Sequence, residues 1–172
     1  MKLEMNVSAT EPDWTRETVT GFWDAGPKLI RAVRRYQAAK ENAGLFGGVM
    51  SKYWVLVHRF WSIITQSELH LHMPIGGGLR LPHPTGVIVH PNARIGPNCM
   101  LMHQVTLSGA VTLGGHVDVG AGAKLLGAIT IGDNAEIGAN AVVTSDVPEG
   151  AVVVGIPARV IRVKGQDTDV TE

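Results

Sequence analysis

The chain has a single cysteine, Cys99, in 172 residues. That excludes an internal disulfide and suits a reducing compartment. Net charge is also missing, because 15 basic side chains face 15 acidic ones. No general field is left to recruit nucleic acid or an anionic membrane. Aromatic residues are few, and none follows Trp61. The most apolar stretch, YWVLVHRFWSIIT, is broken by His58 and Arg59 and is too short to span a bilayer. The first eighteen residues hold no apolar core of a secretory signal, so a soluble cytoplasmic protein is expected. Acids are sparse in one region above all: between Glu41 and Asp118 there is only Glu68.

What the chain does have is glycine, 21 of them, and two hydrophobic periods. From about residue 12 to 67 the period is helical. GPKLIRAVRRYQAAKEN sets Leu29, Val33 and Tyr36 on one stripe, with Arg31, Arg34, Arg35 and Lys40 facing away. A second stripe joins Met50, Trp54, Val57, Trp61 and Ile64. Tryptophans at helical spacing read as core or subunit interface.

After Ser67 the period becomes six. Val89, Ile95, Leu101, Leu107, Leu113, Val119, Leu125, Ile131, Ile137 and Val143 follow one phase without a miss. Upstream, Leu69, Ile75, Leu81 and Val87 keep the same spacing, and a two-residue slip between Val87 and Val89 joins the runs. Two positions before each hexad residue stand small or β-branched side chains, from Ala93 and Cys99 to Ala135 and Ala141. Residues i and i−2 share a strand face, so both sets point inward. Glycines after the hexad residue, such as Gly96, Gly114 and Gly132, mark sharp corners. Short strands and tight corners every six residues describe a β-solenoid with three flat faces and about 18 residues per coil. Cys99 falls in the inward phase and reads as core filler.

His83 and His103 are 20 apart, and removing the slip leaves one coil. Both stand second after a hexad aliphatic, at a corner. The expectation is one shared edge, one strand spacing of about 4.8 Å apart before side-chain tilt. Function concentrates at such corners. Glu68 stands fifteen residues before His83, one coil below, and points outward. A carboxylate beside an imidazole fixes its tautomer and stabilises the imidazolium, as a general base requires; a cap or surface charge is the alternative reading. His58, His70, His72, His90 and His116 read as structural, with His70 and His72 the nearest exceptions.

These residues resemble a family: the hexapeptide-repeat acyltransferases, and among them the serine acetyltransferases. GGGLRLPHPTGVIV is similar to the family's catalytic segment. VDVGAGAKLLGAITIGDNAEIGANAVV with VPEGAVVVGIPARVI resembles its coenzyme A-binding coils and closing segment. The resemblance implies a left-handed parallel β-helix of hexapeptide repeats with a short N-terminal α-helical segment. It divides the chain into 1–67 (helical), 68–150 (β-helix) and 151–172 (closing segment and tail). It implies acetyl transfer from acetyl-CoA to a small-molecule hydroxyl, with no metal, nucleic acid or membrane. His83 would be the general base, Glu68 its partner where the family has Asp, and His103 a second catalytic residue. Ala121, Ala139, Thr144, Arg159, Arg162 and Lys164 would bind coenzyme A. A homotrimer is implied, with the Trp-rich helices as a means of doubling it to a dimer of trimers.

Three departures bear on the acceptor. Pro82 replaces the family's acid before the catalytic His. VTLSGAVTLGG is about eight residues shorter than the loop that carries an Arg-His pair for the serine carboxylate. The isoleucine tail that docks the next enzyme of cysteine synthesis is replaced by DTDVTE. L-Serine and a sugar hydroxyl of surface-polysaccharide synthesis are both open as acceptors. Two other classes stay open: a zinc-dependent, carbonic-anhydrase-like hydratase on the same solenoid, and a non-catalytic scaffold.

Overall fold

The computed structural model describes residues 7–42 and 44–163, with the side chain of Leu45 left out. After a single 3-10 turn at Trp14–Glu17 come two helices, α1 (Ala25–Glu41) and α2 (Leu45–Thr65). Pro27 sits in the first turn of α1, where its missing N–H costs no helical bond. α2 ends with Gln66 in the left-handed region, φ 53°, and Ser67 N–H donating to the Ser62 carbonyl. This closure aims the chain into the first coil.

Twelve short strands follow among the described residues. One face stacks β1 (Ile88–Val89), β4 (Thr106–Ser108), β7 (Lys124–Leu126) and β10 (Val142–Val143). A second stacks β2 (Arg94–Ile95), β5 (Thr112–Leu113) and β8 (Thr130–Ile131). The third stacks β3 (Met100–Leu101), β6 (Asp118–Val119), β9 (Glu136–Ile137), β11 (Ala151–Gly155) and β12 (Ala158–Val163), the last pair antiparallel. The other pairings are parallel, and between β1 and β10 they step by 18 residues, as from Leu107 to Leu125. The first coil pairs through single bridges, Glu68 with Ile88, Ile75 with Ile95 and Arg80 with Met100.

All ten hexad residues from Val89 to Val143 are buried, and so are their i−2 companions. Each Val, Leu or Ile among them contributes about 1.5–3 kcal/mol by leaving water. Cys99 lies fully inside, its Sγ–H donating to the Gly114 carbonyl at 3.1 Å. Burial pushes its thiol up to about 12.

The slip lies elsewhere than the expected place between Val87 and Val89. The first coil is offset by 20 residues through Arg80–Met100, whereas Ile88 already pairs with Thr106 at 18. The two additional residues therefore fall between Leu81 and Val87, in the corner that carries His83. Val87 takes the inward i−2 place above Ser67, not a hexad place, because Val105 is its counterpart one coil on: Ile88 N–H donates to the Val105 carbonyl.

α1 lies across this first coil. Gly26 passes so close to Leu81 that a Cβ there would stand 2.2 Å from the Leu81 carbonyl oxygen. Leu29, Val33 and Tyr36 are buried as expected. Arg34 is a correction, since it does not face away. Its guanidinium pairs with Glu17 at 2.8 Å and donates to the carbonyls of Ile75 and Gly76 at 2.6 Å each. The α2 stripe is also only partly inward: Trp61 is buried, but Ile64 is half exposed. The N-terminal arm is held on the solenoid by Asn98, whose amide donates to the carbonyls of Ser8 and Glu11 and whose Oδ1 accepts from Asp13 N–H.

Candidate active site

One edge of the prism, where the third face turns into the first, gathers four of the nine candidate residues: His83, His103, Ala121 and Ala139. Each coil crosses it through one left-handed residue: Gly86, Gln104, Gly122 and Asn140, with φ between 56° and 73°. The residues just before them form a column of Thr85, His103, Ala121 and Ala139. Their carbonyls are spent on the coil above: Gln104 N–H donates to Thr85, Gly122 N–H to His103 and Asn140 N–H to Ala121, at 2.8–2.9 Å. What His103 and Ala121 present outward is therefore the side chain and the N–H.

His83 stands beside this column in the expanded corner. Its ring and that of His103 lie 6.1 Å apart between centroids, edge to face at 74°. The rings thus meet, at a separation somewhat wider than one strand spacing, across a corner that holds two additional residues. His83 is exposed and His103 half-buried. The corner is held from below: Ser67 Oγ–H donates to the Pro84 carbonyl, and Gly86 N–H donates to the Thr65 carbonyl at 3.0 Å. Gly26 presses on Leu81 from the helical side. No residue-type signal marked Ser67 or Thr65 as supports, since their role follows from where α2 ends.

Glu68 sits one coil below, its backbone paired with Val87 and Val89 at 2.9 Å and its side chain exposed. No hydrogen bond or ion pair joins its carboxylate to His83 among the described residues. The other residues scatter. Thr144 follows β10 on the opposite side of the first face, away from the histidine edge. Arg159 and Arg162 are exposed on β12, opposite Val154 and Val152. Lys164 lies outside the described residues.

Four of the remaining histidines have structural partners. His58 Nε2 meets the Leu69 carbonyl at 2.8 Å, and burial holds its pKa below the usual imidazole range, so it is neutral at pH 7. His72 meets the Tyr36 hydroxyl at 2.9 Å, His90 Nδ1 accepts from Asn92 N–H, and His116 meets Asn134 across one coil. Among the described residues no group of three His, Cys, Asp or Glu side chains converges as a metal site would need. The segment Ser108–Thr112 is a tight corner with no loop projecting from it.

No family model matches the chain. The serine acetyltransferase of Mycobacterium tuberculosis is 43% identical over 110 residues, which are 59% of this chain and 48% of that protein. The structure of a Brucella abortus serine acetyltransferase in complex with coenzyme A is 31% identical. It superposes with a TM-score of 0.70 over 82% of this chain and 57% of that one. Soybean serine acetyltransferase complexed with serine is 32% identical, with a TM-score of 0.65 over 77% and 56%. The shared architecture is the left-handed parallel β-helix behind an N-terminal helical segment. This chain spans about half the length of the curated relatives it matches.

Proposed function

We propose that this homologue of the serine acetyltransferases moves an acetyl group from acetyl-CoA directly to an acceptor hydroxyl, with L-serine as the first acceptor. The observation that carries this reading is the meeting of His83 and His103 on the edge that continues into Ala121 and Ala139. His83 takes the hydroxyl proton as the oxygen attacks the thioester carbonyl. The tetrahedral oxyanion is stabilised by backbone N–H groups of the corner column. It then collapses, breaking the carbon–sulfur bond, and the imidazolium returns the proton to the leaving thiolate. General-base assistance of this kind contributes about 10²–10⁴-fold. Glu68, exposed one coil below without a hydrogen bond to His83, stabilises the charged imidazolium through space, and His103 packs against that ring.

For the cosubstrate, the Ala121 and Ala139 N–H groups pair with pantetheine amides. Arg159 and Arg162, with Thr144 and Lys164, serve the phosphates, a task suited to the guanidinium fork. A neighbouring copy in a trimer supplies the second wall of the cleft. That Thr144 lies across the first face from the histidine edge fits this arrangement, in which one copy's first face meets another's edge.

A second acceptor reading has its own support. The tight corner at Ser108–Thr112 has no loop to carry a carboxylate-binding pair. A sugar hydroxyl needs no such pair. Thiol release from acetyl-CoA, measured with L-serine and with nucleotide sugars, tests both. Serine-dependent release upholds the first reading; release with a sugar but none with serine replaces it with the second. Release with neither, and no rise in melting temperature on adding coenzyme A, removes acetyl transfer altogether.

A further inference from the structure

The outer half of α2 carries Phe46, Val49, Tyr53, Leu56, Phe60 and Ile63, each between 49 and 80% exposed. At about 100° per residue these six stand on the half of the helix opposite His58, which reaches the Leu69 carbonyl. The stripe therefore faces away from the solenoid. Two further aromatics extend it. Trp23 meets the Trp61 ring edge to face at 5.9 Å, and Phe60 meets the same ring at 5.2 Å. Trp23 and its neighbour Phe22 are themselves 66 and 79% exposed. An apolar surface of this extent marks contact with something other than water.

The chain as a whole is neutral, and that total argues against an anionic membrane as partner. The total conceals an uneven spread. Residues 25–65 hold seven bases and one acid, Glu41, a net +6, so the rest of the chain carries −6. α2 contains no acid at all. Its Lys52 and Arg59 flank the apolar stripe on one side. On the other side lies α1, whose Lys28 Nζ stands 5.1 Å from the centre of the Trp61 ring and whose Arg31 and Arg35 are exposed one turn apart. Arg31, Arg35, Lys52 and Arg59 make no hydrogen bond or ion pair among the described residues.

We propose that this helical layer docks on the surface of an anionic bilayer, with the α2 stripe in the interface and the bases of α1 and α2 among the lipid headgroups. No helix among the described residues is long and apolar enough to cross a membrane, so α2 lies in the interface plane and does not span it. Trp23 and Tyr53 carry rings with a polar tip, which suit headgroup depth. The acidic remainder is repelled by the same surface, and this orients the prism with its helices toward the lipid. A second copy of the chain is the competing occupant. Two copies meeting through this layer would set one +6 surface against another, with no acid in α2 to receive the incoming bases. Like charges across a contact oppose it. Anionic lipid supplies the opposite sign. The docking is independent of the acceptor, and its test does not use turnover.

The experiment is cosedimentation of the full chain with phosphatidylglycerol vesicles and with phosphatidylcholine vesicles, beside light scattering without lipid. The wild type binds phosphatidylglycerol, binds phosphatidylcholine at least about tenfold more weakly, and is released from phosphatidylglycerol as salt is raised. Leu56→Glu removes an inserting chain, adds a repelled charge and weakens binding about 100-fold, while Leu56→Phe keeps it. Arg31→Glu combined with Arg35→Glu weakens binding about 30-fold or more. All three positions are exposed, so the melting temperature and the lipid-free mass stay at wild-type values. A wild type that does not bind phosphatidylglycerol, or binding that survives Leu56→Glu and the double arginine variant, overturns the proposal. So does a Leu56→Glu protein whose lipid-free assembly has half the wild-type mass; that result assigns the face to a second copy.

Discussion

The corner from 82 to 86 and the corner from 102 to 104 turn the chain around the same edge, from the third face to the first, yet the first spends five residues where the second spends three. The shorter corner is regular. His103 stands in column with Ala121 and Ala139, and its carbonyl joins the ladder through Gly122 N–H. In the longer one Thr85 takes that ladder place, which frees His83 to stand out and meet the His103 ring at 6.1 Å. A solenoid with a perfect period would put one ring directly above the other, both at ladder positions. The two additional residues turn a stack into a pair that faces outward. Regular coils thus hold the prism together, and the irregular one presents His83, the proposed base.

That contrast can be broken most forcefully by removing it. Deleting Pro84 and Thr85 leaves His83 in the chain, keeps Gly86 as the left-handed residue and returns the corner to three residues. Acetyl-CoA-dependent thiol release is expected to fall at least about 100-fold, or roughly 2.7 kcal/mol in the barrier. The melting temperature stays within a few degrees, because the hexad core is untouched. Full activity in this variant would mean that the expanded corner has no part in the chemistry.

The converse change is made in a regular coil. Leu107 is fully buried in β4, with β1 on one side and β7 on the other. Leu107→Ala is expected to cost about 2–5 kcal/mol of stability, read by urea denaturation. Turnover per folded molecule should stay close to wild type. A large loss of turnover at unchanged stability would show that the two regions are not separable.

A smaller effect is expected from Glu68→Gln, which keeps shape and removes charge. If Glu68 stabilises the imidazolium, kcat drops about tenfold, near 1.4 kcal/mol, with KM for acetyl-CoA unchanged. An unchanged kcat would return Glu68 to the status of a surface charge.

Smallest is the effect of Cys99, which belongs wholly to the core. Burial raises its thiol from 9.0 to about 12. A raised thiol pKa means that the folded state holds the proton more tightly. Its contribution is intact below about 9 and is lost as the pH rises toward 12. Iodoacetamide at pH 8.5 should therefore leave native Cys99 unmodified and react with it promptly in denaturant. Rapid modification of the folded protein would contradict its place inside the prism.

The six-residue rhythm was legible because the inside of a three-faced coil takes the same kind of side chain at every turn, and Leu101, Leu107 and Leu125 display it plainly. The shared edge of His83 and His103 followed from the same arithmetic. The exact place of the slip did not, because Val87 is aliphatic and buried in either register, so hydrophobicity alone does not tell a hexad place from an i−2 place. Arg34 departs from its pattern for a related reason: helical periodicity ranks an arginine as outward, whereas Glu17 and two carbonyls from distant parts of the chain draw it in. The supports of the His83 corner, Thr65 and Ser67, were invisible because they act largely through backbone and short hydroxyl contacts set by the end of α2. Nor did the α2 sequence show which of its two apolar faces meets the rest of the molecule.

The most direct measurement is the rate of thiol release by His83→Ala beside that of His103→Ala, at saturating acetyl-CoA and acceptor. The geometry predicts a loss of about 10²–10⁴-fold for His83→Ala and a clearly smaller one for His103→Ala, which keeps the base in its raised corner. Equal and small losses, or a His83→Ala protein that still releases thiol at the wild-type rate, would contradict the assignment of proton transfer to this edge.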